Sequence, residues 1–297
     1  MNPLAPFMVG VDGSAASAAA MRWTGRLAVA AGVDVVAVNS YEIEFSEVRP
    51  ETHDRLFAER EAMVSSWIAP AADEGATVRM VLKEGDPRDV LLREADREGA
   101  GVVVLGRTGR SGGPGFLHLG SLVEHAAHHC QRPLAVIPSA VLGPISRIVL
   151  GLDGSKESMG ARDWCADLAM VTKASVAVVV VQDPGRGWRP KGSVEEWRRN
   201  AEQRLDDWLE PLTAAGIETD QVLLTDTHPA DGLLSASSAH DGDVLVIGTK
   251  GAGGIAGVRV GGVAMKVLHK ASVPLVLVPP LAAEQAAGGV DEASGGR

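Results

Sequence analysis

Cysteine, aromatic residues, positive charge and long apolar runs are all in short supply. Two cysteines in 297 residues cannot staple a secreted scaffold, so a reducing, cytoplasmic setting is expected. Lys+Arg number 28 against 38 Asp+Glu, a formal net charge of -10. That balance argues against a broad basic footprint for a nucleic-acid polymer or a grip on an anionic membrane, and leaves room only for a local phosphate patch. No apolar stretch approaches the roughly 18 residues of a membrane span; Val176–Val181 is short, valine-rich and strand-like. Asp12 precedes the first positive charge, Arg22, which is not the basic-then-apolar layout of a signal peptide. What is present is ordinary for a globular chain: 45% hydrophobic and 22% charged residues, in a length that allows two domains.

The chain repeats itself. MVGVDGSAASAAAMRWTGRLA from Met8 and VLGLDGSKESMGARDWCADLA from Val149 run in step, with Asp12, Gly13, Ser14 and Trp23 recurring 141 positions on as Asp153, Gly154, Ser155 and Trp164. Trp67/Trp208 and Pro133/Pro274 keep the offset of 141, whereas Pro87/Pro229, Gly106/Gly248 and Gly109/Gly251 are 142 apart, and Gly120/Gly261 return to 141. Tryptophans are too rare for this register to be chance. The chain is a tandem duplication, divided here as 1–142 and 143–280 around the turn residues Gly143-Pro144. The small, polar segment 281–297, without an aromatic residue, is expected to be a disordered tail.

Each copy alternates β-branched runs with longer amphipathic stretches. The runs are Phe7–Val11, Asp34–Tyr41, Val78–Leu82, Val102–Gly106 and Leu134–Ile137, then Ile148–Leu152, Val176–Gln182, Glu218–Leu224, Val244–Gly248 and Leu275–Val278. Strands apolar on both faces and separated by helices predict a parallel sheet covered on both sides. The expected fold is α/β: two tandem, doubly wound, five-stranded Rossmann-like domains related by an internal pseudo-two-fold. Ligands of such sheets bind beyond the carboxyl ends of the strands, where the strand order reverses.

At those ends the first strand of each copy runs into Asp-Gly-Ser, at Asp12 and at Asp153. The carboxylate can accept from ribose hydroxyls or an adenine amine, and the serine can cap the next helix; a plain strand-to-helix turn is the simpler alternative. The fourth strands are followed by glycine-rich loops, DVLVIGTKGAGGIAGVRVGG from Asp243 and GVVVLGRTGRSGGPGFLHLGS from Gly101. Backbone N–H groups exposed by such a loop at a helix N-terminus cradle phosphate without a lysine. An idle flexible loop is a poorer account, because the plan survives in both copies while neighbouring residues differ.

These residues resemble the universal stress protein family, whose nucleotide-binding members carry an aspartate after the first strand and a Gly-x2-Gly-x9-Gly-(Ser/Thr) loop after the fourth. Gly248-x2-Gly251-x9-Gly261 matches that spacing and is followed by Gly262, where Ser or Thr is usual. Gly106-x2-Gly109 is followed by ten residues and then Gly120-Ser121. The extra residue falls in the flexible segment Ser111–Gly115, where one more residue costs little entropy, and Gly262 keeps its backbone N–H while losing a hydroxyl donor. The resemblance implies ATP with Mg2+ or Mn2+, and two sites. Adenine would lie near Asp12 and Ser40 in one copy and near Asp153 and Val181 in the other, with Gly106 and Gly248 by the ribose. Gly109, Gly120 and Ser121, and likewise Gly251, Gly261 and Gly262, would hold phosphates. It also implies that the apolar last strands, PLAVIP and PLVLVPP, pair with each other as an internal pseudo-dimer, with a homodimer as a further step.

Competing motifs fit less well. No Gly-Lys dipeptide occurs, which excludes a Walker A loop. Gly251-Ala-Gly253-Gly-Ile-Ala256 is followed by no acidic residue before Glu284, so the carboxylate of a nicotinamide fingerprint is missing. Ser111 in Gly-x-Ser-x-Gly lies five residues beyond Gly106, away from the sharp strand-to-helix turn of a nucleophile elbow. His125, His128, His129 and Cys130 share helical spacing but read as a solvated helix end. Arg107 and Lys250 sit in the loops, either neutralising phosphate or simply solvated, and Trp23, Trp67, Trp164 and Trp208 read as core anchors. The expected function is a regulatory, stress-response protein that binds ATP as a signal, since no base, nucleophile or arginine is poised for phosphoryl transfer. The alternatives are a slow ATPase or nucleotidyl-transferring enzyme, and a nucleotide-free interaction module.

Overall fold

The valine-rich runs form a single ten-stranded sheet of order β3-β2-β1-β4-β5-β10-β9-β6-β7-β8. The structure is a computed structural model, and it describes residues 4–41, 50–110, 119–140, 143–182, 194–225, 227–251 and 259–280. The expected tail 281–297 and the loop insertion Ser111–Gly115 lie outside the described residues. The first half runs β1 (Phe7–Gly10), α1 (Ala15–Ala31), β2 (Val35–Tyr41), α2 (Pro50–Ala72), β3 (Val78–Glu84), α3 (Pro87–Arg97), β4 (Val102–Gly106), α4 (Ser121–His129) and β5 (Leu134–Ile137). The second repeats it as β6 (Arg147–Gly151), α5 (Lys156–Thr172), β7 (Ser175–Val181), α6 (Val194–Ala214), β8 (Thr219–Leu224), α7 (Pro229–Ala239), β9 (Val244–Gly248), α8 (Gly262–Lys270) and β10 (Leu275–Val278).

Within each half every strand pair is parallel, as the continuous apolar runs require. Successive side chains point to opposite faces, so Phe7 and Val9 join a core with α1, α2, α5 and α6, while Met8 and Val36 join one with α3, α4, α7 and α8. Both cores run across the two halves. The halves meet where expected. β5 and β10 pair antiparallel, Leu275 opposite Val136, Val276 opposite Ala135 and Leu277 opposite Leu134. An apolar edge on each half is thereby covered by the other, and α1 meets α5 across the same pseudo-two-fold. Among the described residues no helix is long and apolar enough to cross a membrane.

The order 3-2-1-4-5 within each half reverses direction between β1 and β4, and again between β6 and β9. The two Asp-Gly-Ser turns and the two glycine loops therefore stand side by side at the switch points.

Candidate functional site

The turn after β1 is built around Asp12. Its Oδ1 accepts the Ser14 N–H at 2.9 Å, and the Ser14 hydroxyl accepts the Ser17 N–H at 3.0 Å as the N-cap of α1. Gly13 holds a left-handed φ of 79°, and a Cβ there would stand 2.4 Å from Trp67 Cε2, so no side chain fits. The second half repeats the device. Asp153 Oδ1 accepts from the Ser155 N–H at 3.0 Å and its hydroxyl at 2.6 Å, Ser155 caps α5, and a Cβ on Gly154 would stand 2.6 Å from Trp208 Cζ2. Trp23 and Trp164 are buried core residues, as expected. Trp67 and Trp208 do more than anchor, since each forms the floor of an aspartate turn.

The loop after β4 is bound to that turn. The Arg110 N–H donates to Asp12 Oδ2 at 3.0 Å, and the Ser14 hydroxyl donates to the Thr108 carbonyl at 3.3 Å. A Cβ on Gly109 would lie 3.1 Å from Asp12 Oδ2, and one on Gly251 would overlap Asp153 Oδ2 outright. These two glycines let the loop backbone reach the carboxylate. Gly106 answers a different need: a Cβ there would stand 2.5 Å from the Ala16 carbonyl carbon, because β4 lies directly on the first turn of α1.

The loop delivers the chain to α4 through a Gly120 N–H donated to the Arg107 carbonyl at 3.0 Å, and to α8 through the matching Gly261 N–H to Thr249 at 2.8 Å. Side chains cap α1, α3, α5 and α7. No side chain caps α4 or α8, whose N-caps are Gly120 and Gly261. The N–H groups opening these two helices are thus without side-chain caps at the ends where the glycine loops arrive, and a Cβ on Gly262 would meet nothing within 4 Å. This donor set fits a phosphate chain. Among the described residues no group of three His, Cys, Asp or Glu side chains could hold a metal ion, so a divalent cation would have to be held largely by the phosphates themselves.

In the first half these parts surround a cavity of about 540 Å3, bordered by Asp12, Ser40, Gly106, Gly109, Gly120 and Ser121. All six expected residues of that half come together. In the second half Asp153 and Gly251 meet, Gly248 lies on the first turn of α5 near Glu157, and Gly261 and Gly262 open α8. Val181 ends β7 with its side chain 3.0 Å from where a Cβ on Gly232 of α7 would be.

Three first-half residues escaped the sequence reading. Asn39 is buried at the end of β2, with Nδ2 donating to the Val11 carbonyl at 2.6 Å. Arg60 of α2 donates from Nε to Asn39 Oδ1 at 2.9 Å and from Nη2 to the Ser40 carbonyl at 3.3 Å, and also borders the cavity. Arg110 borders it from the loop. Only Asn39 left a signal, as an amide inside the apolar run VVAVNSY. The second half has Val180, Ala201 and Ala252 at the corresponding positions.

One expectation is corrected. Arg107 neither neutralises phosphate in the loop nor lies in solvent. Its guanidinium is buried and donates to the Ala271 carbonyl at 2.6 Å and to the His269 carbonyl, both in the second half. His125 and His129 stack their rings at 4.4 Å, one helical turn apart.

A doubly wound sheet with an aspartate turn and a glycine loop facing each other at its switch point defines the Rossmann-like α/β class. The model of the universal stress protein family matches residues 5–138 and again 144–279, and the chain belongs to that family. A universal stress protein of Mycobacterium tuberculosis is 27% identical over 291 residues, covering 91% of this chain and 95% of the relative. Another from Mycobacterium bovis is 25% identical over 305 residues, covering 91% and 93%. The crystal structure of a universal stress protein from Archaeoglobus fulgidus superimposes with a TM-score of 0.71 at 17% identity, over 92% of this chain and 98% of that one. A putative universal stress protein from Pseudomonas aeruginosa gives 0.61 at 17% identity, over 93% of each chain.

Proposed function

We propose that this chain is a regulatory protein that binds ATP, with the first half as its principal site. The observation that carries the reading is the junction of Asp12 with the glycine loop, Arg110 N–H to Oδ2 at 3.0 Å, at the mouth of the 540 Å3 cavity. A cavity of this size suits a nucleotide-sized ligand. Asp12 supplies an acceptor for sugar hydroxyls or a base amine, the apolar wall of Val38, Pro87 and Val90 suits a planar base, and the uncapped start of α4 supplies phosphate donors. Mg2+ or Mn2+ would bridge the phosphates. The second half offers the same aspartate and loop, but with Val180 and Val181 where the first has Asn39 and Ser40, fewer polar groups with which to orient a ligand.

The test is to denature freshly purified protein, identify any released nucleotide by chromatography, and titrate stripped protein with ATP and Mg2+ by calorimetry. Intact ATP, or binding that Asp12→Ala abolishes, supports the reading. Stripped protein that takes up no ATP would sink it, and steady release of ADP would move it to the enzyme alternative.

A further inference from the structure

Two guanidinium groups face the same indole in the first half. The Arg60 guanidinium carbon lies 5.4 Å from the Trp67 ring centroid and that of Arg110 lies 5.9 Å from it. The Asn39 amide is fixed by its own bond to the Val11 carbonyl, so its oxygen aims the half-buried Arg60, and further Arg60 N–H groups remain for a ligand. Among the described residues neither guanidinium lies within ion-pair distance of a carboxylate, although the chain carries a net charge of -10. Burial first, and the nearby Arg110 charge second, pull the Arg60 pKa down. The fold does not need them: the second half keeps the tryptophan, as Trp208, and has alanine at both positions.

We propose that Arg60, Arg110 and Trp67 form an anion seat beside the glycine loop, so that the first half binds a nucleotide bearing a second phosphate on its sugar more tightly than the same nucleotide without it. The proposal rests on the nucleotide reading above and goes beyond it. Asp12, the acceptor available to sugar hydroxyls, is bonded to the backbone of Arg110 itself. A phosphate on one of those hydroxyls would therefore lie between the carboxylate and the arginines. The two cations offset the carboxylate's repulsion and form charge-assisted bonds of the kind arginine makes best with phosphate. The 5′ phosphates remain at the start of α4.

The experiment is calorimetric titration of the full chain with AMP, adenosine 3′,5′-bisphosphate and adenosine 2′,5′-bisphosphate, in wild type, Arg60→Gln and Arg110→Gln. Wild type should bind one of the bisphosphates about tenfold or more tighter than AMP, and the ratio should fall toward one in both variants. Arg110 is exposed, so its variant reports on the seat even if Arg60→Gln folds poorly. Equal affinities for all three ligands in wild type would overturn the seat and leave the nucleotide reading standing. If no nucleotide binds, that reading fails, and inorganic pyrophosphate decides the seat alone. Pyrophosphate binding that Arg110→Gln removes upholds it, and absence of binding, or binding unchanged in that variant, overturns it.

Discussion

The Arg107 guanidinium, rooted in the glycine loop of the first half, donates to the Ala271 carbonyl of the second half at 2.6 Å. Together with its bond to the His269 carbonyl it closes the C-terminal end of α8, where helix carbonyls lack partners and the dipole favours a cation. The same residue's carbonyl accepts the Gly120 N–H that opens α4. One residue thus shapes the glycine loop of one half and grips a helix of the other. Thr249 occupies the corresponding place in the second half, so the tie runs one way across the pseudo-two-fold.

Arg107→Met should keep the aliphatic packing and remove both cross-half bonds. Hydrogen bonds made by a charged group contribute about 1.5–3 kcal/mol each, so a combined loss of about 3–6 kcal/mol is expected. The measurement is the urea midpoint at neutral pH. A midpoint equal to that of wild type would show that β5–β10 pairing and the shared cores hold the halves together unaided.

The glycine positions separate packing from ligand. Gly251→Ala would drive a methyl group into the Asp153 carboxylate and should lower the melting temperature through a displaced turn. Gly262→Ala meets nothing within 4 Å at the first residue of α8; alanine is the better helix former, so stability should hold or rise by up to about 1 kcal/mol. Parallel thermal melts compare the two, and a reversed order would contradict the close approach of loop and carboxylate.

Asymmetry between the halves has its own readout. Asp12→Ala should cost the chain most of its ATP affinity, whereas Asp153→Ala should leave the tighter binding event in place. Calorimetric stoichiometry on the two variants decides. Equal losses would mean that Asn39, Ser40 and Arg60 add nothing over Val180, Val181 and Ala201.

The legible and illegible parts of this site differ for a physical reason. Valine runs such as Val35–Val38 and Val176–Val179 are buried on both faces, and that burial writes itself into composition, so strands and sheet type follow from the residues alone. The register of Asp12 with Asp153 and of Trp67 with Trp208 exposed the duplication, and the bare edges Leu134–Ile137 and Leu275–Val278 pointed to the pairing seen between β5 and β10. Arg60 stayed hidden because an arginine on a polar helix resembles any solvated one until Asn39 is found beneath it. Arg107 misled for the opposite reason: its place in the loop suggested phosphate, while the side chain's reach was set by a helix end 162–164 residues away in sequence.

The two thiols make a last, independent test of the packing. Burial pushes the Cys130 thiol up to about 11 from an ordinary 9.0, and the fully enclosed Cys165 is raised further still. Both should remain protonated at pH 8 and react with iodoacetamide only after unfolding, because the thiolate is the nucleophile. The pH dependence has a definite sign. A folded pKa above the unfolded value means that the folded state holds its proton where the unfolded state has lost it. The stability this contributes is therefore complete below about pH 9 and is lost as the pH rises through about 11. Urea midpoints measured from pH 8 to pH 10.5 should fall, and Cys165→Ala should flatten the decline, since it removes the more strongly raised group. A native Cys165 labelled rapidly at pH 8 would mean that the α5 side of the core opens far more readily than its packing indicates.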